Sequence, residues 1–414
     1  MCGYREHYSS ELLQRESTLQ NVLLRYENER QSSEAQVIAL CTADTGISDF
    51  FQLHSLELFR LWTEKFSQPL RVETLYKLTG ALLFVEGKAG PMRQIVADYC
   101  FSLLLAKILA DDLCGSYLIN SMLLPKAASL SLAETFQQQG YLCLGSIEIK
   151  REGEAAIVSF INGETLHAED DEFVRDLEAA VDIVSLSPEI KTGVLRGGIV
   201  DHAKYAGRRV FCSGINLKKL HASAISYPDF LIGREMGCIN KLIHGVGAEN
   251  HRIAKAWIAV VETFAIGGGM QMVLACDYVI GEQGCYVSLP AAKEGIIPGV
   301  SNLRLSSATS ERFAKQVILH GRKVNSADDD ASFIFDEIVA ESAVESALAQ
   351  AIMLMSAPAV PANKRMLVLA KEPLKTFQAY MQVFCQEQVA RMYATDVKEK
   401  TGKFTASRVV AFAD

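Results

Sequence analysis

An α/β core set between a helical N-terminal region and C-terminal helices is the fold class the sequence predicts. Three observations predict it. Before Gly140 the apolar residues recur every three or four positions. After Gly140 short apolar runs alternate with helical stretches. One such run passes into a helix through three consecutive glycines, Gly267 to Gly269. Strands alternating with helices imply mostly parallel pairing in one sheet.

Taken in order, the expected helices are Ser10–Glu29, Gln52–Phe66, Val72–Val85, Asp98–Leu124 and Ala128–Gln139. The breakers Pro69, Gly87, Gly90, Pro91 and Pro125 fall between them. This region, residues 1–140, shows no chemistry and reads as a packing or assembly domain. Residues 141–340 read as the core. Tyr141–Lys150 and Ala155–Ile161 form a hairpin around Arg151–Glu154. Asp170–Ser185 is an amphipathic helix, Thr192–Val200 a strand, and Cys212–Leu217 a turn before Lys218–Ala222. Tyr227–His244 is helical, and Ala256–Val261 a buried strand. Residues 341–414 are helical again, in Glu341–Met355, Asn363–Ala370 and Leu374–Lys398, after a helix at Arg312–Gly321.

A chain of 414 residues is long enough for two domains. The net charge of −8 argues against a general nucleic-acid role. No run of about 18 uncharged apolar residues occurs, so no membrane span is expected. The nearest, Phe101–Leu124, contains Lys107, Asp111 and Asp112. Met1–Ser17 has no signal-peptide core. Ten cysteines without paired spacing suit reduced thiols, and the expected location is cytoplasmic. No CxxC or HExxH pattern occurs among them or the eight histidines, so no structural metal is expected.

The glycine run carries the first functional expectation. Glycine lets backbone approach a ligand closely, and the first amides of a helix have no intrahelical partner. Such amides can hold a developing oxyanion. The same glycines would equally serve close strand–helix packing. Neither a dinucleotide fingerprint nor a phosphate-binding loop is present, because the third glycine and a Gly-Lys-Ser/Thr sequence are missing.

Phe211–Leu217, Phe264–Gly269, Asp277 with its following strand, and Gly295–Gly299 occur in one order that resembles the crotonase (enoyl-CoA hydratase/isomerase) superfamily. The resemblance implies a crotonase-like ββα spiral core and a CoA thioester whose carbonyl oxygen is held by the amides of Ile215 and Gly268. Hydratases of that superfamily carry catalytic glutamates where this sequence has Gln271 and Ala291. A neutral amide and a methyl group cannot share acid–base work on water. Glu294 stands three positions after Ala291 and is a candidate substitute, or a solvated loop charge beside Lys293.

Within the superfamily, Arg208–Phe211, Ser213–Leu217, Ile225–Tyr227, Asp229–Leu231, Ser288–Gly299, Asn363–Met366 and Ala379–Met381 resemble the cofactor-independent 3,5-dihydroxyphenylacetyl-CoA 1,2-dioxygenases of antibiotic biosynthesis. That resemblance implies an aryl-acetyl-CoA and O2 as substrates and no cofactor. It implies Arg234 and Glu169 at the ring hydroxyls, Gln271 in the same site, and Ala291, Ile296 and Ile297 around the O2 pocket. It also implies a homotrimer or homohexamer, with the C-terminal helices as contacts. Each polar residue has a structural reading too: a surface charge for Arg234, a helix cap for Glu169, a solvent-facing amide for Gln271. Arg252, Lys255, Lys218 and Lys219 are candidates for CoA phosphates. Another crotonase activity (thioesterase, hydratase or isomerase) and a non-catalytic acyl-CoA-binding subunit are the alternatives.

Overall fold

The computed structural model describes residues 8–27, 32–84 and 90–406. Met1–His7, Asn28, Glu29, Val85 and Gly87, on which parts of the expectations fall, lie outside the described residues. The chain divides into two compact units, one of residues 1–122, 226–233 and 374–414, the other of residues 123–225 and 234–373.

The first unit is helical. Its helices include Ser10–Glu27, Glu34–Ala43, Thr45–Trp62, Val72–Leu83, Pro91–Ala110, Leu374–Met392 and Thr395–Ala406. Pro91–Ala110 buries residues all round its circumference, including Val96, Phe101, Leu105 and Ile108, as a central helix must. It packs on Leu374–Met392 and Thr45–Trp62. Its one carboxylate, Asp98, accepts the hydroxyls of Tyr76 and Tyr393, each at 2.6 Å. Burial pushes the Asp98 carboxyl up to about 6. The stretch expected as one helix, Asp98–Leu124, is two. Asp111 leaves the helical conformation and accepts the Cys114 amide at 2.8 Å, which starts Asp112–Leu123.

The second unit holds both sheets. Its strands are β1 (Tyr141–Cys143), β2 (Ile147–Glu152), β3 (Ala155–Phe160), β4 (Thr192–Gly197), β5 (Ala256–Val261), β6 (Phe264–Ile266), β7 (Tyr278–Glu282), β8 (Tyr286–Ser288), β9 (Lys323–Asn325) and β10 (Glu337–Val339). The seven-stranded sheet runs β1-β2-β3-β4-β5-β7-β10. Its first two pairings are antiparallel and the rest parallel. Strands β6, β8 and β9 form a separate three-stranded sheet. Every residue of β4 and β5 is buried, as expected for strands covered on both faces.

Ile157, Val194, Ile258, Val260 and Ile280 pack against Val344, Ala347, Leu348 and Ala351 of helix Val344–Met355. Helix Asp171–Leu186 begins at Asp170, whose carboxylate accepts the Glu172 and Phe173 amides. Lys241 is fully buried and joins Glu178 at 2.8 Å and Asp182 at 2.7 Å, pinning helix Asn240–His244 to Asp171–Leu186. Asp277, part of the recognised motif order, has a structural task. It accepts the Trp257 amide at 2.8 Å and the Lys364 ammonium at 2.6 Å.

Candidate active site

Strand β6 and helix Gly268–Ala275 meet at Gly267, whose φ of 55° and ψ of −117° suit glycine. The Gly267 amide is taken by Ser288 at 2.8 Å. The Gly268 amide, the first of the helix, has no acceptor among the described residues. The second turn, Cys212–Asn216, lies alongside. A Cβ built on Gly214 would sit 3.0 Å from the Ile266 carbonyl oxygen and 3.4 Å from the Gly267 Cα. Ile215 bridges Glu169: the Glu169 amide donates to Gly214 and the Asn216 amide to Glu169, both at 2.8 Å. The Ile215 amide, like that of Gly268, has no acceptor among the described residues. Two unsatisfied amides on adjoining turns are what an oxyanion site requires.

Against Gly268 lies a buried polar cluster. Arg234, Glu169, Glu235 and Gln271 are 2%, 1%, 3% and 8% exposed. Arg234 uses every N–H it has. Nε and Nη2 donate to Glu169 Oε1 at 2.9 and 2.8 Å, and Nη2 also donates to the Gly268 carbonyl at 3.0 Å. Nη1 donates to Glu235 Oε1 at 2.6 Å and to Gln271 Oε1 at 2.7 Å. That accounts for all the donors of a guanidinium. Burial alone would lower the Arg234 pKa, but the Glu169 and Glu235 carboxylates outweigh it and hold the group above its usual value. Burial raises the Glu169 carboxyl, against the opposing pull of Arg234. A guanidinium between two carboxylates leaves this cluster one negative charge in excess unless one acid is protonated.

Two polar groups of the cluster remain open. Both Arg234 bonds to Glu169 end on Oε1, and Oε2 receives none from the described residues. Oε2 instead lies against Gly268, 1.4 Å from where a Cβ on that residue would be. The Gln271 side-chain NH2 likewise has no acceptor among the described residues. The surface-charge, cap and solvent readings of Arg234, Glu169 and Gln271 therefore do not hold, and it is Asp170 that caps the helix.

The loop after Pro290 reaches the same cluster. Ala291 is buried and opens the short helix Ala291–Glu294, while Ile296 and Ile297 are half-buried. Gly299, at φ 49°, passes directly over the cluster. The Val300 amide donates to Glu235 Oε2 at 3.1 Å. The loop is thus tied to Arg234 through the Val300 amide and Glu235. Of the basic candidates, Lys255 is committed to the Val184 and Ser187 carbonyls at 2.6 and 2.5 Å, at the C-terminal end of helix Asp171–Leu186. Lys219 pairs with Asp170 at 2.6 Å. Lys218 is exposed.

Sequence reasoning passed over Glu235. Its signal was present: Arg234 and Glu235 are the only charges in Phe230–Asn240, an otherwise apolar and small-residue stretch. Two adjacent charges in such a stretch are rarely buried without partners.

Glu294 is half-buried with no hydrogen-bond partner among the described residues, and burial raises its carboxyl from 4.5 to about 7. Its contribution to stability is therefore present below pH 4.5 and is lost as pH rises through about 7. In Glu294→Gln that falling limb should vanish. Subtracting the variant's Tm–pH curve from the wild-type curve between pH 4.5 and 7 checks this. Parallel curves would contradict it.

A family model described as enoyl-CoA hydratase/isomerase matches residues 152–401. The chain is 36% identical over 387 residues to a (3,5-dihydroxyphenyl)acetyl-CoA 1,2-dioxygenase of Amycolatopsis orientalis, covering 90% of this chain and 89% of that one. It is 25% identical over 269 residues to a probable enoyl-CoA hydratase of Rhizobium meliloti, covering 64% of this chain and 96% of the relative. The crystal structure of an enoyl-CoA hydratase/isomerase from Mycobacterium paratuberculosis superposes with a TM-score of 0.53 at 19% identity, over 62% of this chain and 98% of that one, and so shares the fold. The matched core, the two open amides and the relatives agree: this chain is an enzyme-fold member of the crotonase (enoyl-CoA hydratase/isomerase) superfamily.

Proposed function

We propose that the protein is a cofactor-independent dioxygenase that converts 3,5-dihydroxyphenylacetyl-CoA, or a close aryl-acetyl-CoA, and O2 into the arylglyoxylate and free CoA. The observation that carries this reading is the buried cluster at Gly268 with two open groups. Glu169 Oε2 accepts and the Gln271 amide donates, and an aromatic hydroxyl can do the reciprocal of each. The replacement of both hydratase glutamates by Gln271 and Ala291 speaks against addition of water. The relative of 36% identity acts, by its name, on such a thioester.

In this reading the Cα proton leaves first. The enolate oxygen lies between the Ile215 and Gly268 amides, each worth on the order of 3 kcal/mol in the transition state. Arg234 holds Glu169 and Gln271 in place and meets a ring hydroxyl directly only by releasing one of its present partners. The electron-rich enolate passes one electron to O2, and the two radicals combine at Cα as a peroxide. The terminal peroxide oxygen attacks the thioester carbonyl and expels the CoA thiolate. Cleavage of the O–O bond with loss of the remaining Cα hydrogen as a proton gives the keto acid. Ala291, Ile296 and Ile297 supply the apolar wall for O2.

The test is stoichiometric. Aryl-acetyl-CoA should release one free thiol for each O2 consumed. Thiol release that continues unchanged under argon would favour the second reading, a thioesterase. That reading draws on Glu294, an unpaired carboxyl with a pKa of about 7.

For assembly, we propose a homotrimer or a dimer of trimers. Met353, Leu354, Met366, Leu367 and Leu369 are exposed on helices Val344–Met355 and Val360–Lys371. Among the described residues no single helix is long and apolar enough to cross a membrane, and this helix pair is bent by 84°. An apolar face of this kind marks a contact surface. Leu367→Asp should shift the mass in solution from the multimer to the protomer, read by light scattering. An unchanged mass would place the contact elsewhere.

A further inference from the structure

Glu235 has both carboxylate oxygens engaged in the protein, and the two engagements point to different parts of the site. Oε1 takes the Arg234 Nη1 proton at 2.6 Å. Oε2 takes the Val300 amide at 3.1 Å and lies 4.0 Å from Arg304 Nη1. Arg304 is itself fixed by Glu372 through bonds of 3.0 and 2.9 Å. The intervening Gly299 leaves no slack, because a Cβ there would stand 2.3 Å from Glu235 Oε1 and 2.6 Å from Gln271 Oε1. One carboxylate therefore joins the guanidinium behind Glu169 and Gln271 to the backbone just past Ile296 and Ile297.

We propose that Glu235 is a positioning residue that holds the Ile296–Ile297 loop in register with Arg234, so that ring recognition and the O2 wall at Cα are set together. The consequence for O2 rests on the aryl-acetyl-CoA reading above, whereas the positioning itself does not. Gln at this position offers a single acceptor oxygen, so either Arg234 or Val300 loses its partner and faces an NH2 group. Asp keeps both acceptors on a stem shorter by one methylene.

Two measurements on Glu235→Gln and Glu235→Asp separate the possibilities. The first is amide hydrogen exchange of residues 295–301 without substrate. Loss of a bond to a charged acceptor should accelerate exchange of the Val300 amide by about 10- to 100-fold in Glu235→Gln, and by less in Glu235→Asp. The second compares exchange of the Cα hydrogen into D2O under argon with O2 uptake in air. A weakened hold on Arg234 lowers both rates, and a displaced wall adds a loss specific to O2, so O2 uptake should fall at least about 10-fold further than Cα exchange. A purely structural role would lower both by one common factor. Unchanged protection at Val300, or a common fall, overturns the proposal. A wild-type protein that takes up no O2 would instead overturn the dioxygenase reading, and the amide exchange would still decide the role of Glu235.

Discussion

Arg234→Ala is expected to destabilise the unit containing the site by about 3–5 kcal/mol and to abolish turnover. The cost arises because Glu169 would be left buried with an unpaired charge, and Glu235 with only the Val300 amide and Arg304 at 4.0 Å. Gln271 and the Gly268 carbonyl would lose donors as well. Arg234→Lys keeps the positive charge but offers three donors where five are in use, so it should recover part of the stability and little of the activity. Urea unfolding of both variants, with kcat/KM on the same samples, checks this. A loss under about 1 kcal/mol in the Ala variant would mean that the carboxylates do not depend on Arg234, as exposed ion pairs would not.

Gly268→Ala should abolish activity with the fold retained. The added methyl would stand 1.4 Å from Glu169 Oε2, 2.5 Å from its Cδ and 3.0 Å from Arg234 Nη2. No rotation of the methyl relieves such a contact, so the carboxylate must leave its place. Alanine keeps the backbone N–H, so the fall comes from the displaced Glu169 and from that amide losing its aim; misaligning one oxyanion donor corresponds to a 100- to 1,000-fold fall in kcat, roughly. Gly268 is not in the left-handed region, so alanine there carries no backbone strain and suits the first turn of a helix. A Tm lowered by the displaced Glu169–Arg234 pair, a still cooperative unfolding transition and kcat down by at least ~100-fold are the expected results. Wild-type kcat would remove Gly268 from the oxyanion site.

Local pattern made much of this architecture legible. The run Ala256–Val261, the glycine turn and the helix after it are set by short-range chemistry, and so is the amphipathic helix that begins at Asp171. The motif order brought Ile215, Gly268, Gln271, Glu169 and Arg234 forward together. What stayed hidden depends on partners far away in sequence. Periodicity cannot show that Phe264–Ile266 leaves the main sheet for one with β8 and β9, because three apolar residues fit either sheet. Nor can it show that Leu374–Met392 returns to pack on Pro91–Ala110. The break at Asp111 was missed because apolar spacing continues through it, and only the cap on Cys114 reveals it. Glu235 escaped because a charge beside an arginine reads as solvated until both are found buried.

In the proposed reaction this site combines an aryl-acetyl-CoA enolate with O2. Its most direct test uses metal-stripped protein, 3,5-dihydroxyphenylacetyl-CoA and isotopically labelled O2, with the organic product analysed by mass. The expected product is an arylglyoxylate carrying both labelled oxygen atoms, with free CoA released in equal amount. Free CoA with an unlabelled arylacetate would contradict it and identify a thioesterase.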